Sequence, residues 1–203
     1  MNKPKASKKK AKDSTGITVE KLFGRALDAS LQRHPEIAVP ALEEVLQRDP
    51  YHAQARHLLG AEYAQAGKID GALLEMATAL EINPDMPLAR FQLGLLLMTC
   101  ARVEDAAKVW VPLDSLGNEH ILNRFRAGMM QMVQGHFEAA HQVLAAAMAE
   151  NSELPALNHQ LAVVIGAIAA IGTPDEKKEE EQAEDPNAQH ILVSSYVQSP
   201  DVH

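Results

Sequence analysis

The chain has 203 residues, of which 46% are hydrophobic, 4% aromatic and 23% charged, a balance that fits one soluble globular domain and excludes a disordered or fibrous polymer. A single cysteine, Cys100, excludes a disulfide scaffold and a cysteine-rich metal cluster, and is compatible with a reducing compartment. With 19 Lys and Arg against 27 Asp and Glu, the net charge is −8, which argues against nucleic acid as the main partner of the folded part.

Charge is uneven along the chain. Residues 1–18 carry six lysines against Asp13, residues 19–172 carry 11 bases and 18 acids, and residues 173–203 carry two bases and eight acids. No apolar stretch follows the lysines from Lys3 to Lys12, so they do not read as a secretory leader, and the expected location is cytoplasmic. This basic arm has two readings: an electrostatic contact to nucleic acid, ribosome or acidic membrane, or a solvated, disordered end. No aromatic side chain is interleaved among the lysines to stack on bases, which favours the solvated end.

From residue 19 onward a period of 34 appears. Gly60, Gly94 and Gly128 follow it, and so, independently, do Ala38, Ala72, Ala106 and Ala140. The frame predicts four repeats, 19–52, 53–86, 87–120 and 121–154, followed by a single helix over 155–171. Each repeat reads as two helices separated by a breaker such as Ala66-Gly67-Lys68 or Gln134-Gly135-His136. Pro50 and Pro84 end the second helix of their units, because proline lacks an N–H and disfavours helix in the residue before it. A large apolar residue, Leu42, Met76, Trp110 or Leu144, recurs on the second helix. It is expected to fill the space between neighbouring units.

The copy AQARHLLGAEYAQAGKIDGALLEMATALEINPDM, with Leu59, Gly60, Tyr63, Ala72, Ala79 and Pro84, resembles a tetratricopeptide repeat in every slot of that pattern. The third copy keeps Leu93, Gly94 and Ala106 and puts Trp110 in a large-residue slot. The fourth keeps Gly128, Gly135, Phe137, Ala140 and Ala147. The first keeps Ala38 and Pro50 but has Arg25 and Ala26 in place of Leu-Gly, as a capping repeat does. The resemblance implies an all-α, right-handed α-solenoid of helix-turn-helix repeats. Since no unit can bury its apolar face alone, the helix pairs must stack.

In that family the first helices line a concave face that binds polypeptides. The corresponding slots hold Phe23 in the first unit and His57 in the second. They hold Leu88, Phe91, Leu95 and Met98 in the third, and Leu122, Phe125, Met129, Met132 and Val133 in the fourth. The second half of this groove is apolar and rich in methionine, which suits an adaptable site for the apolar face of a partner peptide or helix. The same stripe is also what a core packed under the last helix or the tail would show. Family members that clamp acidic chaperone C-termini use Lys, Asn and Arg at these slots, so a carboxylate clamp is not expected here. The apolar groove is similar in surface chemistry to that of the repeat chaperones of bacterial secretion systems.

Leu161 to Gly172 carries no charged side chain and is too short to span a bilayer, so the last helix should be covered by the tail, a second copy or a partner. Thr173-Pro174-Asp175-Glu176 can cap a short charged helix. Beyond Asp185-Pro186 the chain turns apolar at Ile191, Leu192, Val193, Tyr196 and Val197. This tail is expected to dock, either on the last helix or in the groove as a built-in ligand. The alternative is a disordered end.

Nine histidines raise the question of a metal or acid-base site, yet His52 and His57, like His136 and His141, are five apart and miss the i, i+4 spacing of a helical ligand pair. His57 and His159 fall in concave slots and could hydrogen-bond a peptide. No HExxH, P-loop, GxGxxG or GxSxG occurs, and Cys100 beside Thr99 reads as an inert small side chain. The expectation is a non-enzymatic adaptor or chaperone-like holder without cofactor or metal, which binds an apolar segment of another protein. A structural assembly protein that dimerises through the last helix is the alternative from another class. A small regulatory factor that uses the basic arm on nucleic acid is a third.

Overall fold

The computed structural model describes residues 17–152 and 154–172; the basic arm before residue 17 and the tail from residue 173 lie outside the described residues. Four helix pairs follow one another: α1 (Val19–Leu31) with α2 (Pro35–Arg48), α3 (Ala53–Gln65) with α4 (Ile69–Ile82), α5 (Pro87–Thr99) with α6 (Val103–Trp110), and α7 (Ile121–Val133) with α8 (Phe137–Glu150). The last helix is α9 (Pro155–Gly172). Successive first helices, α1, α3, α5 and α7, each begin 34 residues after the last. No strand occurs among the described residues. The fold is an all-α solenoid of the tetratricopeptide type.

Helix starts follow from local chemistry. Thr18 caps α1 through its hydroxyl, which accepts from the Lys21 N–H at 3.3 Å. Histidine takes the same role elsewhere: the His52 Nδ1 accepts from the Ala55 N–H at 3.1 Å, and the His120 Nδ1 from the Leu122 N–H at 3.2 Å. Pro35, Pro87 and Pro155 occupy first helical positions, where a missing N–H costs nothing.

The turn inside each unit repeats down to its hydrogen bonds. The N–H groups of His34, Lys68, Arg102 and His136 each donate to the carbonyl five residues back, and those of Arg33, Gly67, Ala101 and Gly135 to the carbonyl three back. This is the Schellman closure, which requires a left-handed residue just past the helix. The four residues that supply it have φ of 61°, 71°, 58° and 80°, yet only Gly67 and Gly135 are glycines.

Within the second, third and fourth units the two helices touch at a residue without a side chain. A Cβ on Gly60 would lie 2.7 Å from the Met76 Cγ, one on Gly94 2.0 Å from the Trp110 Nε1, and one on Gly128 2.4 Å from the Leu144 Cγ. Ala26 and Leu42, both fully buried, hold the equivalent positions of the first unit. The large residues therefore fill the interior of their own unit, where the expectation placed them between units. The reason is that Gly and the bulky side chain share one crossing, so the space left by the missing side chain on one helix is filled by the large one on the other.

Units are then tied to one another. α2 packs on α3, α4 on α5, and α5 on α7. An arginine recurs at the start of the first helices: Arg56 Nε donates to the Pro50 carbonyl at 3.0 Å and Arg90 Nη2 to the Pro84 carbonyl at 2.9 Å. Within their own units, Arg56 also pairs with Glu75 at 2.7 Å, and Arg124 with Glu150. The third unit departs from the pattern. α6 stops at Trp110 and continues as a 3-10 helix, Val111–Leu116, because Pro112 cannot donate to the α-helical ladder. The Asn123 amide then ties this segment down, donating to the carbonyls of Leu113 at 2.7 Å and Gly117 at 2.9 Å.

Two outcomes test these contacts. Gly94→Ala forces the Trp110 indole out of its seat and lowers stability by about 2 kcal/mol, read as a shift in the fluorescence of the chain's one tryptophan and in the urea midpoint. Ala101→Gly, at an exposed turn with positive φ, raises the midpoint by about 1 kcal/mol equivalent, while Gly67→Ala lowers it by a similar amount.

Candidate protein-interaction surface

The face formed by the first helices is not an open groove along its whole length. α9 lies across α5 and α7, which are its principal neighbours, with Leu157 and Leu161 fully buried and Leu154 and Gln160 nearly so. The residues expected to face a partner are interior ones, and α9 covers those on α5 and α7. Phe23, His57, Leu88, Phe91, Leu95, Met98, Leu122, Phe125, Met129 and Met132 are all buried, and Val133 alone is partly exposed, at 38%. This stripe, which suits either a groove lining or a core packed under the last helix, is buried in the folded chain. The physical reason is that α9 has no charged residue to keep it in water and α5 and α7 offer it an apolar bed.

An aromatic line runs through that bed. Trp110 stacks on Phe91 with ring centres 5.5 Å apart and donates its indole N–H to the Phe91 carbonyl at 3.0 Å; Phe91 meets Phe125 at 6.2 Å. These rings fix α5 against α6 and α7 and so set the width of the seat for α9.

The first half of the same face is polar and closed. His57 stands in the slot that Phe23, Phe91 and Phe125 fill in the other units. One ring nitrogen, Nε2, lies 2.7 Å from the Gln92 amide oxygen. An oxygen cannot donate, so Nε2 carries the proton. Burial pushes the imidazole down to about 4, and the bond to Gln92 opposes that shift only in part. Nearby, the Ser30 hydroxyl donates to the buried Glu62 carboxylate. His52, whose ring lies 4.7 Å from that of Phe23, is likewise lowered by burial, against the pull of Asp49 and Glu20. Neutral imidazole is what its helix-capping lone pair requires. Neither buried pair was legible from sequence, because the partners stand on different helices.

Because α9 crosses onto α5 and α7, a gap remains beside α8. It is a cavity of about 550 Å³ lined by Met132, Phe137, Leu144, Ala145 and Met148 on one side and Ala162, Ile165 and Gly166 of α9 on the other, with the polar side chains of Glu138 and His141 among its lining. His159, expected in a concave slot, is exposed on α9. Among the described residues no group of three or more His, Cys, Asp or Glu side chains is placed to hold a metal ion, and no helix is long and apolar enough to cross a membrane. Ile191, Leu192, Val193 and Tyr196 lie outside the described residues.

No protein-family model matches the chain. A protein of Rattus norvegicus described as FK506-binding protein-like is 29% identical over 73 residues, which is 36% of this chain and 21% of that protein's length. A solved structure described as MamA RS-1 ArsTM double mutant superposes with a TM-score of 0.54 over 95% of this chain and 100% of that one, at 16% identity. The latter likeness is one of fold.

His57 makes stability depend on acidity. The unfolded chain protonates this imidazole near 6.5 and the folded one near 4, so the contribution of the neutral ring is complete above 6.5. It is lost progressively as the pH falls to 4, by roughly 3 kcal/mol in all. His57→Phe with Gln92→Leu, the residue types found 34 positions away, removes that part of the slope. Urea midpoints of both chains between pH 4 and 7 check it, and parallel curves would count against the assignment.

Proposed function

We propose that the chain is a non-enzymatic protein-interaction module whose concave face, on α5 and α7, takes an apolar helix of a partner in exchange for α9. One observation carries this: the face already holds such a helix, with Leu157 and Leu161 seated in it. The mode is an amphipathic helix laid in a groove, read by apolar anchors at helical spacing. Leu157 and Leu161 are four apart and supply the pattern. Methionines 98, 129 and 132 give the bed the compliance to accept a different sequence. A tetratricopeptide-type fold supports protein partners generally, and an adaptor or chaperone-like holder in the cytoplasm is the role that such a groove fits.

The exchange sets the affinity. While α9 is seated, a partner binds only the fraction of chains in which it has left, so the apparent dissociation constant rises by the inverse of that fraction. Partner selection then reduces to a comparison with α9 itself. Because Phe91 and Phe125 have no exposed surface, substituting them would unfold the chain before it tested binding. The informative substitutions are on α9.

Leu157→Glu with Leu161→Glu releases α9, and a peptide of residues 155–172 added in solution then binds at least about tenfold more tightly than it binds the unaltered chain. Calorimetric titration of both chains measures this. Equal affinities would place the peptide outside the groove.

A further inference from the structure

We propose that the cavity between α8 and α9 is the seat of the chain's own apolar segment, residues 191–197. The proposal goes beyond the groove reading and does not depend on it.

The cavity is a vacated stacking face. On α4 the positions Ile69, Leu73, Ala77 and Leu80 are packed against the core, with α5 following in the stack. Two repeats later the same positions are Phe137, His141, Ala145 and Met148 on α8, and all four line the cavity. The helix that should cover them, α9, leans onto α5 and α7 and meets α8 only near the C-terminal end of α8, where the Asn158 Nδ2 donates to the Met148 carbonyl at 2.9 Å. Phe137 is left 49% exposed, and an apolar hollow of about 550 Å³ stands open. An apolar surface of this kind costs free energy until something covers it.

The chain supplies an occupant of matching chemistry at the right place. Gly166 lines the cavity and α9 ends six residues later at Gly172, about 9 Å further on at the helical rise. Between Gly172 and Ile191 stand 18 residues, enough to reach about 60 Å when extended, so the return is not limited by length. The acidic stretch 175–185 suits a span through water. From Pro186 to Pro200 there is no Asp, Glu, Lys or Arg, and Ile191, Leu192, Val193, Tyr196 and Val197 gather the apolar side chains. Tyrosine buries its ring only where its hydroxyl finds a partner, and Glu138 and His141, both exposed, are among the cavity's lining. Tethering gives the segment an effective concentration of about millimolar, an advantage that no free peptide of the same sequence has. The groove, the other place such a tail could enter, is already filled by α9.

The test uses the full chain with Cys100→Ser and Ser195→Cys, a nitroxide spin label on the new thiol, and isotope-labelled methionine methyl groups. The expected result is loss of most of the Met132 and Met148 methyl intensity, with Met76, enclosed between α3 and α4, unchanged. Ala145→Glu, which puts a charge into the cavity from an exposed position, restores both signals and speeds protease cleavage within residues 186–200 by about tenfold. Undiminished Met132 and Met148 signals in the labelled chain overturn the proposal. So does a loss at Met98 and Met129 with Met148 undiminished, which would put the segment in the groove. A loss that appears only when spin-labelled chains are mixed with separate isotope-labelled ones makes a second copy the occupant and overturns it equally, as does a loss that survives Ala145→Glu.

Discussion

Everything downstream in this chain rests on how closely the two helices of a unit can approach. At Gly60, Gly94 and Gly128 the distance is so short that a single methyl group would collide with Met76, Trp110 or Leu144. The missing side chain on one helix and the bulky one on the other are therefore a single feature in two places. In the third unit this brings the Trp110 indole within 3.0 Å of the Phe91 carbonyl, which satisfies its N–H and leaves the ring flat against Phe91. From there the contact passes to Phe125, and α5 and α7 are held at the spacing that seats α9. A crossing defined by one hydrogen atom thus reaches the face where a partner would bind.

Repetition goes deeper than composition. The turn between the paired helices closes with the same two hydrogen bonds in all four units, although the residue in the left-handed position is Arg33, Gly67, Ala101 or Gly135. Geometry is kept where the residue is not. This follows from the cooperative nature of stacking: once the helices are fixed by their crossing, the turn must close in one way, and a non-glycine there bears a modest local cost. The third unit shows the limit, where Pro112 breaks the helical ladder and the chain finishes the helix in 3-10 geometry. The Asn123 amide repairs the join.

The frame of 34 residues could be read from the amino acids because its markers are local. Small residues at Gly60, Gly94 and Gly128, breakers at Gly67 and Gly135, and prolines at Pro50 and Pro84 each act within a few residues of themselves. The concave slots could be read as a set for the same reason. The choice between lining and core could not, since for the slots on α5 and α7 it depends on where α9 goes, and a helix that carries no charge has no local signal for direction. The buried pairs were hidden for a related cause: His57 and Gln92 are 35 residues apart, and Ser30 and Glu62 are 32 apart. Nothing in either residue's neighbourhood names the other. Trp110 was recognised as a filler, but the void that it fills is in its own unit, which only the close approach at Gly94 reveals.

The concave face is divided by that polar interior, and the division gives the proposed groove a direction. The aromatic slot is Phe in the first, third and fourth units and His in the second, where the imidazole is held neutral against Gln92 of α5. An apolar helix lying on α5 and α7 can extend toward α3 only by meeting buried groups that already need their hydrogen bonds. Taking one of those bonds away costs more than an apolar contact returns. The apolar bed therefore ends at α5, and α9 occupies the part of the face that can reward an apolar helix. A partner competing with it has no longer strip to gain. It must win on the fit of its anchors to Met98, Met129 and Met132, or by contacts outside the face altogether.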